Sequence, residues 1–133
     1  MSTTPRVLVI DDDEIVRVVM CELLREKGCE VFDSGSPIGV SKTIGDQSID
    51  VVVLDVLMPG LSGDKLAKLL RDNPRMPKLS IILVSGTDTA SLEKIAKDVK
   101  ADAVLPKSNI HRELAMVVLM AHRRRTLART AAL

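Results

Sequence analysis

The chain carries almost no aromatic side chains. Of its 133 residues only Phe32 bears a benzene-type ring, and Trp and Tyr are absent. That excludes the base-stacking platforms by which many proteins hold single-stranded nucleic acid, and it leaves the core to Val, Ile, Leu, Met and Ala. Cysteine is nearly as scarce. Cys21 and Cys29 have no partner motif around them and read as small hydrophobes rather than as a disulfide or metal pair. No apolar stretch approaches the ~20 residues that cross a bilayer, and no secretory-type apolar segment precedes the first predicted strand. No contact with a membrane is expected, and a cytoplasmic location is. Excess charge of one sign is missing too: the formal net charge is +1, which draws no polyanion to the molecule as a whole. Acid is locally absent. No Asp or Glu follows Glu113, whereas His111, Arg112, His122, Arg123, Arg124, Arg125 and Arg129 crowd the C-terminal end.

What is present is an alternation. Short apolar runs at Val7–Ile10, Ile49–Leu54, Leu79–Val84 and Ala103–Leu105, with a briefer one at Glu30–Asp33, have the length and β-branched content of buried strands. Between them lie helical periodicities. The first carries Ile15, Val16, Val19, Met20, Leu23 and Leu24 inward and stops at Gly28. The second is a weak helix opened by Ser36 as N-cap and Pro37 at the first helical position, reaching about Gly45. A third spans Asp64–Arg71 and a fourth runs from Thr89 to about Asp98. The last begins at a Ser108 cap, with Ile110, Leu114, Val117, Val118 and Ala121 facing inward, and reaches Leu127. Strand and helix repeat five times, which predicts an α/β fold: a doubly wound, five-stranded parallel sheet covered on both faces.

Each major run delivers polar residues just past its end: Asp11, Asp12 and Asp13 after the first, Asp55 after the third, Ser85 after the fourth, and Lys107 after Pro106. In a parallel sheet those ends share one edge, where open α/β folds place their sites. Carboxylates, one hydroxyl and one ammonium gathered there suit a divalent cation with hard oxygen ligands and phosphoryl transfer, which is mainly positioning and charge neutralisation. Taken singly these residues have plainer roles: the three acids as helix N-cap, Asp55 as a turn residue, Ser85 as a strand end and Lys107 as a solvated cation. Their combination points to chemistry.

The motifs Val-Leu-Val-Ile-Asp-Asp-Asp, Val-Val-Leu-Asp-Val-Leu-Met-Pro-Gly-Leu-Ser-Gly, Ile-Ile-Leu-Val-Ser-Gly and Val-Leu-Pro-Lys together resemble the receiver domain of two-component response regulators, a flavodoxin-like (βα)5 fold. The resemblance covers about residues 6–121 and implies a receiver domain over 1–121 with a basic helical extension or linker over 122–133. It implies Asp55 as phosphoryl acceptor. Mg²⁺ would be held by Asp12 directly, by Asp11 close by, by Asp55 and by the backbone carbonyl of Leu57, while Ser85 and Lys107 would engage the phosphoryl group. The donor would be a sensor histidine kinase or a histidine phosphotransfer protein. Such a domain is no enzyme beyond Mg²⁺-dependent self-phosphorylation and slow autodephosphorylation.

Several positions depart from the family's commonest pattern. Ser85 stands where Thr is more frequent. Lys107 is followed by Ser108 rather than Pro, so that a cis bond, if there is one, would fall at Leu105–Pro106. Val104 occupies the place of an aromatic in the predicted fifth strand, so activation is expected to travel by backbone movement after Val84 and Leu105 rather than by a turning ring. Leu57 and Thr87 flank the acceptor, and apolar Leu57 should shield it from water, giving a phosphorylated form that lasts minutes. The basic C-terminal segment reads as favourable helix-end charge and solvated tail, or as a linker or a patch for an acidic partner. Nucleic-acid binding through it would be weak and salt-sensitive. A homodimer through the fourth helix, fifth strand and fifth helix is permitted by Lys94, Lys97, Asp98, Lys100, Asp102 and Arg112. Two other functions compete: a haloacid-dehalogenase-like phosphatase using Asp11 and Asp13, and a degenerate receiver that acts only by binding.

Overall fold

The computed structural model describes residues 4–58, 60–86 and 89–132 and turns the alternation of apolar periods into alternating strands and helices. They are β1 (Arg6–Ile10), α1 (Glu14–Glu26), β2 (Glu30–Ser34), α2 (Val40–Asp46), β3 (Val51–Asp55), α3 (Gly63–Asp72), β4 (Ser80–Ser85), α4 (Thr89–Val99), β5 (Ala103–Pro106) and α5 (Ile110–Ala132). All strand pairs are parallel, in the order β2-β1-β3-β4-β5. Alternate residues leave the sheet on opposite sides. Val7, Val9, Val51, Val53, Ile82 and Val84 pack with Met20, Cys21 and Leu24 of α1 and with Leu114 and Val118 of α5. Leu8, Ile10, Val52, Leu54, Ile81 and Leu83 pack with Ile44 of α2, Leu66 and Leu70 of α3 and Leu92 of α4. Every residue of β3 and β4 is buried, which explains runs with no polar alternation. The chain leaves β1 toward β2 and then returns past it to β3. The connection direction therefore reverses between the ends of β1 and β3, where a crevice opens.

Several boundaries, and the placement of one side chain, differ from expectation. Ser36 does not cap a helix. Its Oγ accepts from the N–H of Ile38 (3.2 Å) in a serine turn, and Gly39, at φ 78°, is left-handed, so α2 begins only at Val40. β3 starts two residues later than the apolar run because Asp50 is used as a link. Its carboxylate accepts from the N–H of Arg6 (2.8 Å) and its carbonyl from the N–H of Ser80 (3.0 Å). Ser108 lies in a single 3₁₀ turn, Lys107–Asn109, and α5 starts after it at Ile110 and runs past Leu127 to Ala132. Ile15 is 77% exposed rather than inward, since it stands in the first turn of α1, at the rim of the crevice. Cys21 and Cys29 are buried and unbridged, and burial pushes the Cys21 thiol up to about 11, as fits a packing role. Among the described residues no peptide bond is cis, Leu105–Pro106 included.

The basic segment is only partly solvated. Arg125 turns inward, donating to Asp102 Oδ1 (2.8 Å) and to the carbonyl of Pro77 (3.4 Å). Asp102 Oδ2 accepts from Arg71 and from the N–H of Ile81, both at 2.7 Å. Asp102 is therefore committed inside the domain and is not on offer to a dimer partner. The side chain of Arg129 lies outside the described residues. No described helix is long and apolar enough to cross a membrane.

Candidate functional site

Strand register builds the site. β1 ends at Ile10 and the next residue, Asp11, is fully buried. Its Oδ1 accepts from the N–H of Asp13 (2.8 Å), and its carbonyl accepts from Arg17 Nη1 (2.7 Å). Arg17 is itself held by Asp33 at 2.8 Å. Two strands of the same edge bring in the rest. Asp55 is the last residue of β3 and 2% exposed, while Ser85, the last of β4, is fully buried. Lys107 follows β5 directly and reaches back across the crevice. Its Nζ stands 3.3 Å from Asp11 Oδ2 and 3.3 Å from Asp55 Oδ2. The other oxygen of Asp55 accepts from the N–H of Leu57 (3.1 Å).

The three predicted carboxylates converge. Asp11, Asp12 and Asp55 each offer an oxygen within 4.8 Å of the others, with Asp12 on the exposed side. Asp13 has a different task. It caps α1, accepting from the N–H groups of Ile15 (3.0 Å) and Val16 (3.2 Å). A phosphatase that needs Asp13 as its second acid thus finds that carboxylate engaged.

Charge in the crevice does not balance. Three carboxylates face one ammonium, and Asp11 Oδ2 is buried without a hydrogen bond. Burial, reinforced by the negative charge of Asp11, pushes the Asp55 carboxyl up to about 6, although Leu57 N–H and Lys107 pull it back. For Lys107 burial works against the charged form, but Asp55 and Asp11 outweigh it and raise the ammonium above its ordinary value. A buried carboxylate oxygen with no hydrogen bond, sharing one ammonium with a second carboxylate and standing near a third, is a fit for a hard divalent cation.

Two residues that build the site carry no signal of chemistry in the sequence. Arg17 sits among apolar residues of α1 and clamps the backbone of Asp11. Gly63, the last residue of the second motif, lets α3 approach the backbone of Asp55. A Cβ there would lie 2.0 Å from the Asp55 carbonyl oxygen, and the Gly63 N–H donates to Val56 O (2.9 Å). A glycine right after the Ser62 cap was the clue available. Thr87 lies outside the described residues. A cleft of about 880 Å³ opens at the opposite edge of the sheet, beside Asp50, Leu79, His122 and Arg125, and holds none of the predicted site residues.

Comparison with known proteins settles the family. Residues 7–119 match the response regulator receiver domain. The chain belongs to that family.

Among relatives of this receiver domain, the transcriptional regulatory protein AruR of Pseudomonas aeruginosa is 29% identical over 119 residues, covering 86% of this chain and 48% of that protein. The response regulator MprA of a Mycobacterium species is 33% identical over 125 residues, covering 94% and 51%. The chain thus spans about half the length of the curated relatives it matches. The solved receiver domain of the Francisella response regulator 1452 superposes with a TM-score of 0.80 at 28% identity, covering 91% of this chain and 98% of that one. The CheY-like receiver of Methanospirillum hungatei JF-1 gives 0.83 at 19% identity, a likeness of fold.

Proposed function

We propose that this receiver domain is a phosphorylation switch whose acceptor is Asp55, serving a two-component relay with a sensor histidine kinase or a histidine phosphotransfer protein as donor. The observation that carries this is the shared ammonium: Lys107 lies 3.3 Å from both Asp11 and Asp55, so a single cation is divided between two buried carboxylates with a third beside them. In the proposed reaction a carboxylate oxygen of Asp55 attacks phosphorus and the P–N bond to the donor imidazole breaks. The electron pair stays on the imidazole nitrogen, which then takes a proton. Lys107 balances the incoming phosphoryl oxygens, and the Ser85 hydroxyl donates to one of them. Asp11, Asp12, Asp55 and the Leu57 carbonyl would hold Mg²⁺, which supplies positive charge against the anionic donor. Exposed Ile15 and Leu57, at 77% and 61%, give the donor an apolar footing at the rim.

Intact-mass spectrometry after incubation with acetyl phosphate and Mg²⁺ tests the proposal. One phosphoryl adduct is expected, dependent on Mg²⁺, absent in Asp55→Asn, and decaying over minutes as Leu57 excludes an oriented water. No adduct on the unaltered chain would instead support a binding-only module. Retention of the adduct by Asp55→Asn would move the acceptor elsewhere.

A further inference from the structure

α5 runs for 23 residues, and its last part lies beyond the 7–119 span of the family match. One side is accounted for. Ile110, Leu114, Val118 and Ala121 are buried against the sheet, and Arg125 continues that side onto Asp102. The opposite side is not. Met116, Met120 and Leu127 are 55%, 51% and 58% exposed. Their spacing, with Arg123 between Met120 and Leu127, follows the four-three-four rhythm that sets side chains in one line along a helix. Single exposed apolar residues need no explanation, but an aligned set does. Arg123 stands within the line and Arg124 beside it. Both are exposed, and neither has a hydrogen-bond or ion-pair partner among the described residues.

We propose that this face of α5 docks an acidic amphipathic helix of a partner protein. Charge selects the occupant. No acidic residue follows Glu113, so a second copy of this face would set Arg123 and Arg124 against their own equivalents at the seam. A partner with Glu or Asp flanking an apolar line meets both arginines with opposite charge. The line is narrow and has no ring to anchor it in a lipid interface, since Phe32 is the only aromatic and lies in β2. Methionine adapts to an irregular partner surface. From Met116 to Leu127 the face extends ~16 Å, about three turns, which matches a docking segment of similar length. This surface is independent of Asp55 chemistry and is built mostly from residues outside the family match.

The probe is a synthetic helical peptide of about three turns with leucines in one line and glutamates flanking them, titrated into the full chain labelled at methionine methyl groups. The Met116 and Met120 signals are expected to shift while those of buried Met20 and Met58 stay. Binding should weaken about tenfold in the double variant R123E/R124E and fail for the same peptide with lysines in place of glutamates. Absence of shifts at Met116 and Met120 overturns the proposal, as does equal binding of the lysine peptide. Equivalent shifts caused by vesicles of anionic phospholipid, or by raising the concentration of the chain alone, would assign the face to a membrane or to a second copy instead and would equally overturn it.

Discussion

Asp55 shows what burying a carboxylate beside another does to stability. Burial and the neighbouring Asp11 hold its carboxyl up at about 6, against an ordinary value of 3.8. A carboxyl raised in the folded state binds its proton more tightly there than in the unfolded chain. Its contribution to stability is complete below the ordinary value and is lost as pH climbs through the raised one. Asp55→Asn removes the charge and keeps the shape, so in metal-free buffer near neutral pH the variant should melt higher than the parent by roughly 3 °C or more. The gain should shrink as pH falls toward 5. A calorimetric scan in which the variant melts no higher near neutral pH would contradict this. The acids after the first strand, Asp55, Ser85 and Lys107 were legible in the sequence because each ends or follows an apolar run, and a parallel sheet aligns such ends. Arg17 and Gly63 were not legible. One works through a backbone carbonyl, which leaves no pattern in residue type, and the other by lacking a side chain, for which a glycine at the start of a helix is only a faint signal.

Elements were read correctly in kind and order, while their edges were set by contacts that periodicity does not encode. Asp50, the one polar residue within the apolar run Ile49–Leu54, is the tie between the starts of β1 and β4. Arg125 looked like part of a solvated tail and is one of two arginines gripping Asp102, with β4 pinned by the same carboxylate. The side chains of Arg71 and Asp102 are only 11% and 16% exposed, that of Arg125 31%. Removing the shared acid strands a nearly buried guanidinium, whereas removing Arg125 leaves the Arg71 pair intact. Asp102→Ala should therefore cost about 3 kcal/mol and Arg125→Ala about 1 kcal/mol, measured as shifts of the urea midpoint. A smaller loss for Asp102→Ala than for Arg125→Ala would show that the carboxylate is not the centre of this network.

Across the whole molecule, β5 has no aromatic ring to turn beside the site. Val104 in β5 is a stiff aliphatic residue packed among the side chains of the α4 side. If Asp55 is phosphorylated as proposed, the change would be felt through the chain segments leaving β4 and β5, because Ser85 ends the one strand and Lys107 follows the other. Hydrogen exchange on the phosphorylated protein should change first in the backbone after Val84 and after Leu105. Change confined to other segments would rule that route out.

The core on both faces of the sheet is built from aliphatic residues, with the lone ring of Phe32 at its edge, 5.2 Å below the guanidinium of Arg6. To ultraviolet light such a protein is nearly blank. It has no intrinsic tryptophan or tyrosine emission to follow, so folding and switching pass unseen by the commonest optical assays. The same blankness means that one tryptophan placed at exposed Leu57, two residues from Asp55, would be the only lamp in the molecule, and every change in its colour would come from the site.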